Sequence, residues 1–276
     1  MIRVAIAGAA GRMGQMLVSR IAGFDSLELT VAHERAAFER AGEDIGLIAG
    51  AGPLGVSVTT DLDGVADRFD VLIDFTIADA TAANIEICRR RGKKMVIGTT
   101  GLSEAQKAAL AAAAHHTAIV FAPNFAVGVN VTFKLAEIAA AILGQDVDIE
   151  IIEAHHRHKV DAPSGTALGL GEAVAKSLGR ELSEVSTYGR GGVTGERDRA
   201  QIGFHSIRAG EIVGDHTVLF ASEGERLELT HRAQTRVNFA DGALRAAAWV
   251  GNREAGQFDM QDVLGLNEIS VPSAGS

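Results

Sequence analysis

The sequence has few of the residues that build disulfide-bonded or proline-rich proteins. Cys88 is the one cysteine among 276 residues, so the chain can form no internal disulfide framework and no thiolate zinc cage. This composition fits a reducing cytoplasm, which is the location we predict. The chain has four prolines and no low-complexity tract, which favours a compact, ordered protein. Only the tail from Ser270 to Ser276 has the composition of a disordered segment.

Basic residues and long apolar runs are also scarce. There are 26 Lys and Arg against 35 Asp and Glu, a formal net charge of -9. This balance argues against nucleic acid or an anionic membrane as a partner. No uncharged apolar run is long enough to cross a bilayer. The N-terminal MIRVAIAGAAGRMG lacks a charged leader before a long apolar region, and it is typical of a strand entering a loop.

What the chain does contain is enough apolar material for a full core. With 47% hydrophobic residues, it can build one large or two ordinary domains. The first half alternates short apolar runs with longer helical patterns, typical of a parallel sheet covered on both faces. The sequence therefore predicts an α/β fold with a doubly wound, Rossmann-type parallel sheet. We expect strands at 3–7, 28–33, 71–75, 95–97 and 118–121, and helices at 12–23, 81–91 and 103–115.

The pattern changes after Phe125 and indicates a second, α+β domain for substrate binding and oligomerisation. We predict helices at 130–143 and 166–178, a strand at 148–154, and three antiparallel runs at 204–208, 217–221 and 226–232, with a turn within 208–214. A closing helix at 239–250 can return to the first domain. The predicted division is residues 1–126 plus 236–276 for a dinucleotide-binding domain and 127–235 for the second domain.

A glycine-rich loop follows the first predicted strand, with the residues Gly8, Ala9, Ala10, Gly11, Arg12, Met13 and Gly14. A loop between a strand and a helix is where a dinucleotide pyrophosphate rests on a helix N-terminus. The spacing departs from G-x-G-x-x-G, and such glycines also serve ordinary turns. Glu34, twenty positions beyond Gly14, is placed to accept ribose hydroxyls. Either Arg35 or Arg12 is placed to meet the 2′-phosphate of NADP or to stack on adenine, so NADH and NADPH both remain open.

Two further loops fall at predicted carboxyl ends of strands, where ligands bind in such sheets. They are Gly98-Thr99-Thr100-Gly101 and Ala122-Pro123-Asn124-Phe125. Their backbone and hydroxyl groups are candidate contacts for a nicotinamide or its ribose. Each loop taken alone is equally compatible with an ordinary turn.

The most distinctive segment is EAHHRHKVDAPSGTA, from Glu153 to Ala167, which holds three histidines, an arginine and a lysine within five residues. If the segment is extended, His155, Arg157 and Lys159 share one face. If it turns helical after Ala154, His155 and Lys159 become neighbours four residues apart. Both geometries present a histidine and a lysine together as candidate proton donors, and the sequence leaves the choice open.

Three explanations compete for this segment. A zinc site is disfavoured because the paired ligand spacing is missing and the adjacent lysine and arginine repel a dication, so we predict no metal. A solvated basic face is the plain alternative. The third is a carboxylate site, because Ser164, Gly165 and Thr166 lead into a helix whose N-terminal amides attract an anion. We expect structural roles for Cys88 and for His205, His216 and His231.

Several motifs together resemble the 4-hydroxy-tetrahydrodipicolinate reductase family, also called dihydrodipicolinate reductase. They are GAAGRMG, VIGTTG, FAPNFAVGVN, EAHHRHKVDAPSGTAL and the late HRAQTR segment, in the same order and at compatible spacing over nearly the whole chain. EAHHRHKVDAPSGT is the specific one, since the glycine loop alone occurs in many nucleotide-binding proteins.

The resemblance implies roles for particular residues. His155 matches the family's proton donor and acceptor, Lys159 its proton donor, and His156 a substrate contact, with Gly165 and Thr166 at the substrate carboxylate. It implies dinucleotide contacts at Gly8 to Met13, Glu34, Arg35, Gly98 to Thr100 and Ala122 to Phe125. It also implies a homotetramer, with a small cyclic dicarboxylate as substrate and NADH or NADPH as cofactor.

The resulting hypothesis is a hydride transfer to a conjugated cyclic imine in lysine and diaminopimelate biosynthesis, with the proton supplied by Lys159 and assisted by His155. Domain closure would exclude water. Two rivals remain. A semialdehyde dehydrogenase needs a nucleophilic cysteine, for which Cys88 is badly placed. A nucleotide-sensing protein without catalysis has no need of the basic segment.

Overall fold

The computed structural model describes residues 1–272, and residues 273–276 of the tail predicted to be disordered lie outside the described residues. The chain forms two compact units. The first unit comprises Met1–Val127 and Val237–Leu264, and the second comprises Gly128–Arg236 together with residues 265–272. The sequence assigned 236–276 as one piece to the dinucleotide-binding domain, whereas residues 265–272 group with the second unit.

The first unit holds alternating strands and helices. In chain order they are β1 (Ile2–Ala7), α1 (Arg12–Arg20), β2 (Leu27–His33), α2 (Ile45–Ile48), β3 (Val58–Thr59), β4 (Val71–Asp74), α3 (Ala78–Arg91), β5 (Lys94–Ile97), α4 (Glu104–Ala114) and β6 (Ala118–Phe121). The predicted strands and helices of this region are present. The short α2 and β3 were not predicted, because two to four residues carry too little periodicity to be recognised.

These six strands and β12 (Gly256–Phe258) form one sheet in the order β12-β6-β5-β4-β1-β2-β3, and every pair is parallel. The strand β12 and the helix α8 (Val237–Val250) come from the end of the chain, and α8 packs on α1. Apolar side chains cover both faces of the sheet in two clusters, so the doubly wound prediction is confirmed. The strand order reverses between β1 and β4, and a nucleotide binds at such a point in this fold.

The second unit is built on a five-stranded mixed sheet. Its elements are α5 (Val127–Leu143, which begins at the last residue of the first unit), β7 (Asp148–His155), α6 (Gly165–Ser177), α7 (Leu182–Val185), β8 (Ser186–Tyr188), β9 (Ile202–Arg208), β10 (Gly214–Ala221) and β11 (Arg226–Ala233). The short α-helix α9 (Met260–Val263) lies in the first unit, and a 3₁₀-helix, Leu266–Glu268, follows it. The predicted mixed α+β character of the second part is confirmed.

The runs at 204–208 and 217–221 have opposite directions and a turn within 208–214 connects them, as predicted, but the two strands are not neighbours in the sheet. The order is β11-β10-β7-β9-β8, with β9 parallel to β7 and β10 antiparallel to it. The physical reason is that β7, which buries Ile149 and Ile151 completely or nearly so, takes the central position. The 208–214 connection therefore crosses the end of β7, where Ala209 N donates to His155 O at 2.9 Å.

Helix α8 supplies a test of the packing of the first unit. Gly242 is buried, and a Cβ added there would collide with the carbonyl oxygen of Phe125. Replacing glycine by alanine inside a helix normally stabilises it by about 1 kcal/mol. We expect Gly242→Ala to destabilise the protein instead, by about 1–3 kcal/mol, because the backbone must shift.

Thermal unfolding measures this effect, and Gly23→Ala is the matched control because its added Cβ meets nothing within 4 Å. A Gly242→Ala protein that melts at or above the wild-type temperature would contradict the described packing of α8.

Candidate active site

The chain reverses direction immediately after β1, and two glycines make this possible. Gly8 has φ of 64°, a left-handed conformation that disfavours any side chain. A Cβ on Gly14 would lie 2.6 Å from the Cα of Ala9, so the first turn of α1 can approach the loop only because Gly14 has no side chain. These contacts explain the glycines of the loop without reference to a ligand.

The start of α1 is nevertheless suited to an anion. Its N-cap is Gly11, which has no side chain to satisfy the first amides, and the first turn contains no acidic residue. Helix N-terminal amides in this state attract phosphate. A cleft of about 510 Å³ lies beside this turn at the carboxyl ends of β1 and β4. Its lining residues are Gly8, Ala10, Gly11, His33, Glu34, Arg35, Phe38, Phe75, Thr76, Ile77, Ala80 and Asn84.

Glu34 and Arg35 take different positions at the rim of the cleft. Glu34 Oε1 accepts a hydrogen bond from Ala10 N at 2.9 Å, so the acidic side chain is held against the glycine loop. Arg35 is exposed and follows directly after it. At the rim of the cleft, the hydrogen-bonded carboxylate of Glu34 is therefore followed by the exposed Arg35. These are the two residues that the sequence indicated.

The other predicted nucleotide loops are partly committed to packing. A Cβ on Gly98 would lie within 2.5 Å of the Phe75 ring, so the glycine is required by that ring. Ala122 and Phe125 are 2% and 1% exposed, and Phe125 contacts Phe75 edge to face at 5.3 Å. Ala9 is fully buried as well.

Thr99 belongs to a buried hydrogen-bond network that the sequence did not reveal. Asp74, at the end of β4, is fully buried, and its Oδ1 accepts from Thr76 N at 2.9 Å and from Thr76 Oγ1 at 2.6 Å. Asn84 Nδ2 donates to Asp74 Oδ2 at 2.8 Å, and Thr99 Oγ1 donates to Oδ1 at 3.3 Å. Thr81 Oγ1 donates to Thr99 Oγ1 at 2.8 Å. This network fixes the loops after β4 and β5 relative to each other.

In the second unit, the end of β7 carries a buried carboxylate next to a histidine. Glu153 is 1% exposed, and its Oε2 lies 2.6 Å from Nδ1 of His155. Arg208 on the neighbouring β9 donates to both carboxylate oxygens, at 2.8 Å and 2.7 Å. Residues two apart on a strand point to the same face, which is why Glu153 and His155 meet.

The geometry that the sequence left open is a turn. Strand β7 ends at His155, and Lys159 N donates to His156 O at 3.1 Å, so the segment is neither fully extended nor helical. Lys159 Nζ lies 2.8 Å from both carboxylate oxygens of Asp161. The lysine side chain is 20% exposed, whereas that of Asp161 is 56% exposed. Nδ1 of His156 is buried and has no hydrogen-bond partner among the described residues.

The helix α6 begins directly beside this turn. Its N-cap Ser164 accepts from Ala167 N at 3.1 Å, and Ser164 N donates to Glu153 Oε1 at 3.3 Å. Ser164 Oγ also lies 2.9 Å from Nε2 of His216, whose ring is 5.1 Å from that of His155. Gly165 at the first helical position is exposed, and the first turn has no acidic residue. The start of α6 can therefore receive an anion.

The pKa values of this cluster follow from its burial and its charges. Burial raises the pKa of Glu153, but the hydrogen bonds from Arg208, Ser206 and His155 outweigh it and bring the pKa to about 2. Burial lowers the pKa of His155, and the carboxylate of Glu153 opposes this effect.

His216 is more deeply buried than His155. Burial, followed by repulsion from His155, lowers the pKa of His216 to about 4. The cluster thus contains an ionised carboxylate beside two histidines whose pKa values are lowered by burial.

The structure brings His155, Lys159, Gly165 and Thr166 into one region of the second unit, as the sequence predicted. It adds Glu153, Arg208, Asp161 and His216, which were given no site role from the sequence. The alternation of β7 could have revealed Glu153, which faces inward where a charge needs partners.

Neither a metal-binding cluster nor a membrane-spanning helix is present in the described part of the chain. Within residues 1–272, no group of three or more His, Cys, Asp or Glu is arranged to hold a metal ion. No helix in the same residues is long and apolar enough to span a bilayer.

Comparison with known proteins agrees with these features. The family model "Dihydrodipicolinate reductase, N-terminus" matches residues 2–125, and "Dihydrodipicolinate reductase, C-terminus" matches residues 128–264. A 4-hydroxy-tetrahydrodipicolinate reductase of Alkalilimnicola ehrlichii is 60% identical over 96% of this chain and 99% of its own length. One from Acinetobacter baumannii is 56% identical over 98% of each chain.

A solved structure is also similar. The dipicolinate-bound dihydrodipicolinate reductase from Paenisporosarcina sp. TG-14 has a TM-score of 0.76 and 27% identity, over 95% of this chain and 98% of that one. The two family models, the near-full-length identity and the cluster around His155 lead to one conclusion: the chain belongs to the dihydrodipicolinate reductase family.

Proposed function

We propose that this protein reduces 4-hydroxy-tetrahydrodipicolinate, by way of dihydrodipicolinate, to tetrahydrodipicolinate with NADH or NADPH in lysine and diaminopimelate biosynthesis. The observation that carries the proposal is the buried Glu153–His155 pair beside Lys159 and the start of α6. Relatives named for this reaction at 56% and 60% identity support it. The similar structure from Paenisporosarcina sp. TG-14 is bound to dipicolinate, a cyclic dicarboxylate of the proposed class.

The cleft of the first unit fits a dinucleotide. The amides at the start of α1 suit a pyrophosphate, and the loop of Gly8, Ala9, Ala10, Gly11, Arg12 and Met13 lets it approach the backbone. Glu34 is positioned for ribose hydroxyls and Arg35 for a 2′-phosphate. When bound, a reduced nicotinamide supplies the hydride. We propose further contacts from Gly98, Thr99, Thr100, Ala122, Pro123, Asn124 and Phe125.

The second unit holds the groups suited to a dicarboxylate. The amides at Gly165 and Thr166 and the ammonium group of Lys159 provide two sources of positive potential. His156, which follows His155 directly at the end of β7, is the further substrate contact that we propose. Together these groups bind and orient a doubly negative ring.

Proton delivery is the chemical role of this region. Addition of hydride to the conjugated imine leaves an enamine whose carbon must take up a proton. Lys159 donates that proton, and His155 assists through Nε2. A positioned acid of this kind is worth roughly 10²–10⁴-fold in rate. Asp161, 2.8 Å from the lysine, holds the ammonium group in place.

The rival activities lack a chemical basis in this chain. An acylating semialdehyde dehydrogenase requires a reactive thiolate. Cys88 is fully buried, and burial raises the pKa of its thiol far above the usual range. A nucleotide sensor has no use for a buried carboxylate–histidine pair.

We further propose a cytoplasmic homotetramer that assembles through the second unit. The side chains of β10 alternate between buried and partly exposed, so one face of the sheet remains accessible within this chain. The single, buried cysteine is suited to a reducing compartment.

Lys159→Ala tests the proposed proton donor. We expect kcat to fall about 10²–10⁴-fold, because the acid is removed from the reaction, while the affinity for NADH stays within about twofold of wild type. Steady-state kinetics and a fluorescence titration of NADH measure the two quantities. Lys176→Ala, on the exposed side of α6 in the same unit, is the control. Undiminished turnover in Lys159→Ala would remove Lys159 from the mechanism.

Arg35→Ala tests the proposed cofactor contact. Loss of a charged hydrogen bond to a 2′-phosphate is worth roughly 1.5–3 kcal/mol, so we expect the KM for NADPH to rise about 10- to 100-fold and that for NADH to change little. Arg40→Ala is the control, since that exposed arginine pairs with Glu43 instead. Equal effects on both cofactors would show that Arg35 does not contact the 2′-phosphate.

A further inference from the structure

Among the described residues of the second unit, Glu153 is the one buried carboxylate, with 1% exposure. Both of its oxygens have hydrogen-bond partners. Each oxygen accepts a hydrogen bond from Arg208 at 2.7–2.8 Å. The remaining acceptor positions face Ser164 N, at 3.3 Å from Oε1, and His155 Nδ1, at 2.6 Å from Oε2. A buried carboxylate is stable only when its acceptor sites are filled in this way.

This arrangement decides which nitrogen of His155 carries its proton. The carboxylate of Glu153 stays ionised near neutral pH and can only accept, so Nδ1 of His155 must donate. Neutral His155 is therefore the Nδ1–H tautomer, and Nε2 is the nitrogen that exchanges protons with a ligand. Gly214 lies close to Nε2, and a Cβ added there would stand 3.1 Å from this nitrogen, tighter than an ordinary van der Waals contact, so a side chain at this position would crowd Nε2.

The same carboxylate reaches the start of α6. Ser164 N donates to Glu153, while the Ser164 hydroxyl caps the helix through Ala167 N at 3.1 Å. Gly165 and Thr166 follow Ser164 directly in the chain. The histidine and the anion-binding end of the helix are thus attached to one rigid, buried group on the central strand.

We propose that Glu153 is a positioning residue: its carboxylate, neutralised by Arg208, fixes His155 as the Nδ1–H tautomer and ties it to the start of α6. The kinetic part of this inference rests on the proposed reductase activity, whereas the tautomer does not. Four ionisable groups face His155, namely Glu153 on β7, Arg208 on β9, His216 on β10 and Lys159 in the following turn. Burial and the cations lower the pKa of His155, and Glu153 raises it.

Two substitutions should therefore move His155 in opposite directions. Glu153→Gln removes the negative charge, so the pKa of His155 should fall and the tautomer preference should weaken. Arg208→Gln removes a positive charge and leaves the carboxylate, so the pKa of His155 should rise. Selective ¹⁵N labelling of histidine and NMR titration of the protein without ligands report both the tautomer and the pKa.

The kinetic consequence is specific to positioning. We expect Glu153→Gln to lower kcat about 100-fold, because a general acid that is no longer positioned loses its contribution to the rate. The KM for NADH should stay unchanged. The protonated form of His155 is lost as pH rises, so the alkaline fall in activity should begin at lower pH in Glu153→Gln and at higher pH in Arg208→Gln. Glu153→Asp should restore part of the rate.

Glu150→Gln is the matched control, because Glu150 lies on the same strand and also pairs with two arginines and a histidine, Arg190, Arg197 and His205. It should leave the His155 resonances and the pH profile unchanged. If Glu153→Gln shows the wild-type tautomer, pKa and pH profile, the positioning role is refuted. If the tautomer responds as described but the wild-type protein does not reduce the substrate, the proposed function fails and the positioning role stands. Should Glu153→Gln not fold, the shift in Arg208→Gln decides the question.

Discussion

The burial of one carboxylate on the central strand of the second sheet constrains the polar groups around it. An ionised side chain at 1% exposure needs a partner for every acceptor position. Arg208 from β9, His155 from the same strand and Ser164 at the helix cap fill these positions. Ser206 on β9 also donates to this carboxylate. The partners thus belong to three elements, and the carboxylate holds together the end of β7, the end of β9 and the start of α6. The proposed proton transfer and anion binding both depend on that junction.

The first unit also contains a buried carboxylate at the end of a central strand. Asp74 is fully buried at the end of β4 and accepts hydrogen bonds from Thr76, Asn84 and Thr99. These contacts fix the loops that follow β4 and β5, at the edge of the sheet where the nucleotide cleft lies. In each unit, then, a carboxylate at the end of a central strand holds the adjacent loops in place. The rigid part of each site is the buried acid, and the exposed residues, such as Arg35, are left to contact ligands.

The sequence predicted the parallel sheet well because its signal is local. Buried strands such as β4 and β5 are short apolar runs between helices, and that pattern has few other interpretations. The basic segment was also recognisable, since three histidines, an arginine and a lysine in five residues have no packing explanation. Periodicity located the helix α6 to within one residue at each end, because Ser164 supplies its cap.

The partners of those residues could not be predicted, for reasons of distance along the chain. Arg208 is 55 residues from Glu153, and His216 is 52 residues from Ser164. Their meeting depends on β7 lying between β9 and β10, and hydrophobic patterns do not give strand order. For the same reason, the sequence predicted that 204–208 and 217–221 run antiparallel but not that β7 lies between them. The loop at 98–101 was predicted to contact a nucleotide. In the structure its first glycine has a packing role, because the Phe75 ring lies against Gly98 and leaves no room for a side chain.

The most direct test of the proposed chemistry is to mix the purified protein with reduced nicotinamide cofactor and 4-hydroxy-tetrahydrodipicolinate and follow the nicotinamide absorbance. We expect cofactor oxidation to depend on the cyclic dicarboxylate, with one equivalent of tetrahydrodipicolinate formed for each cofactor oxidised. Cofactor that stays reduced with both NADH and NADPH, in the presence of substrate and folded protein, would contradict the proposed reduction.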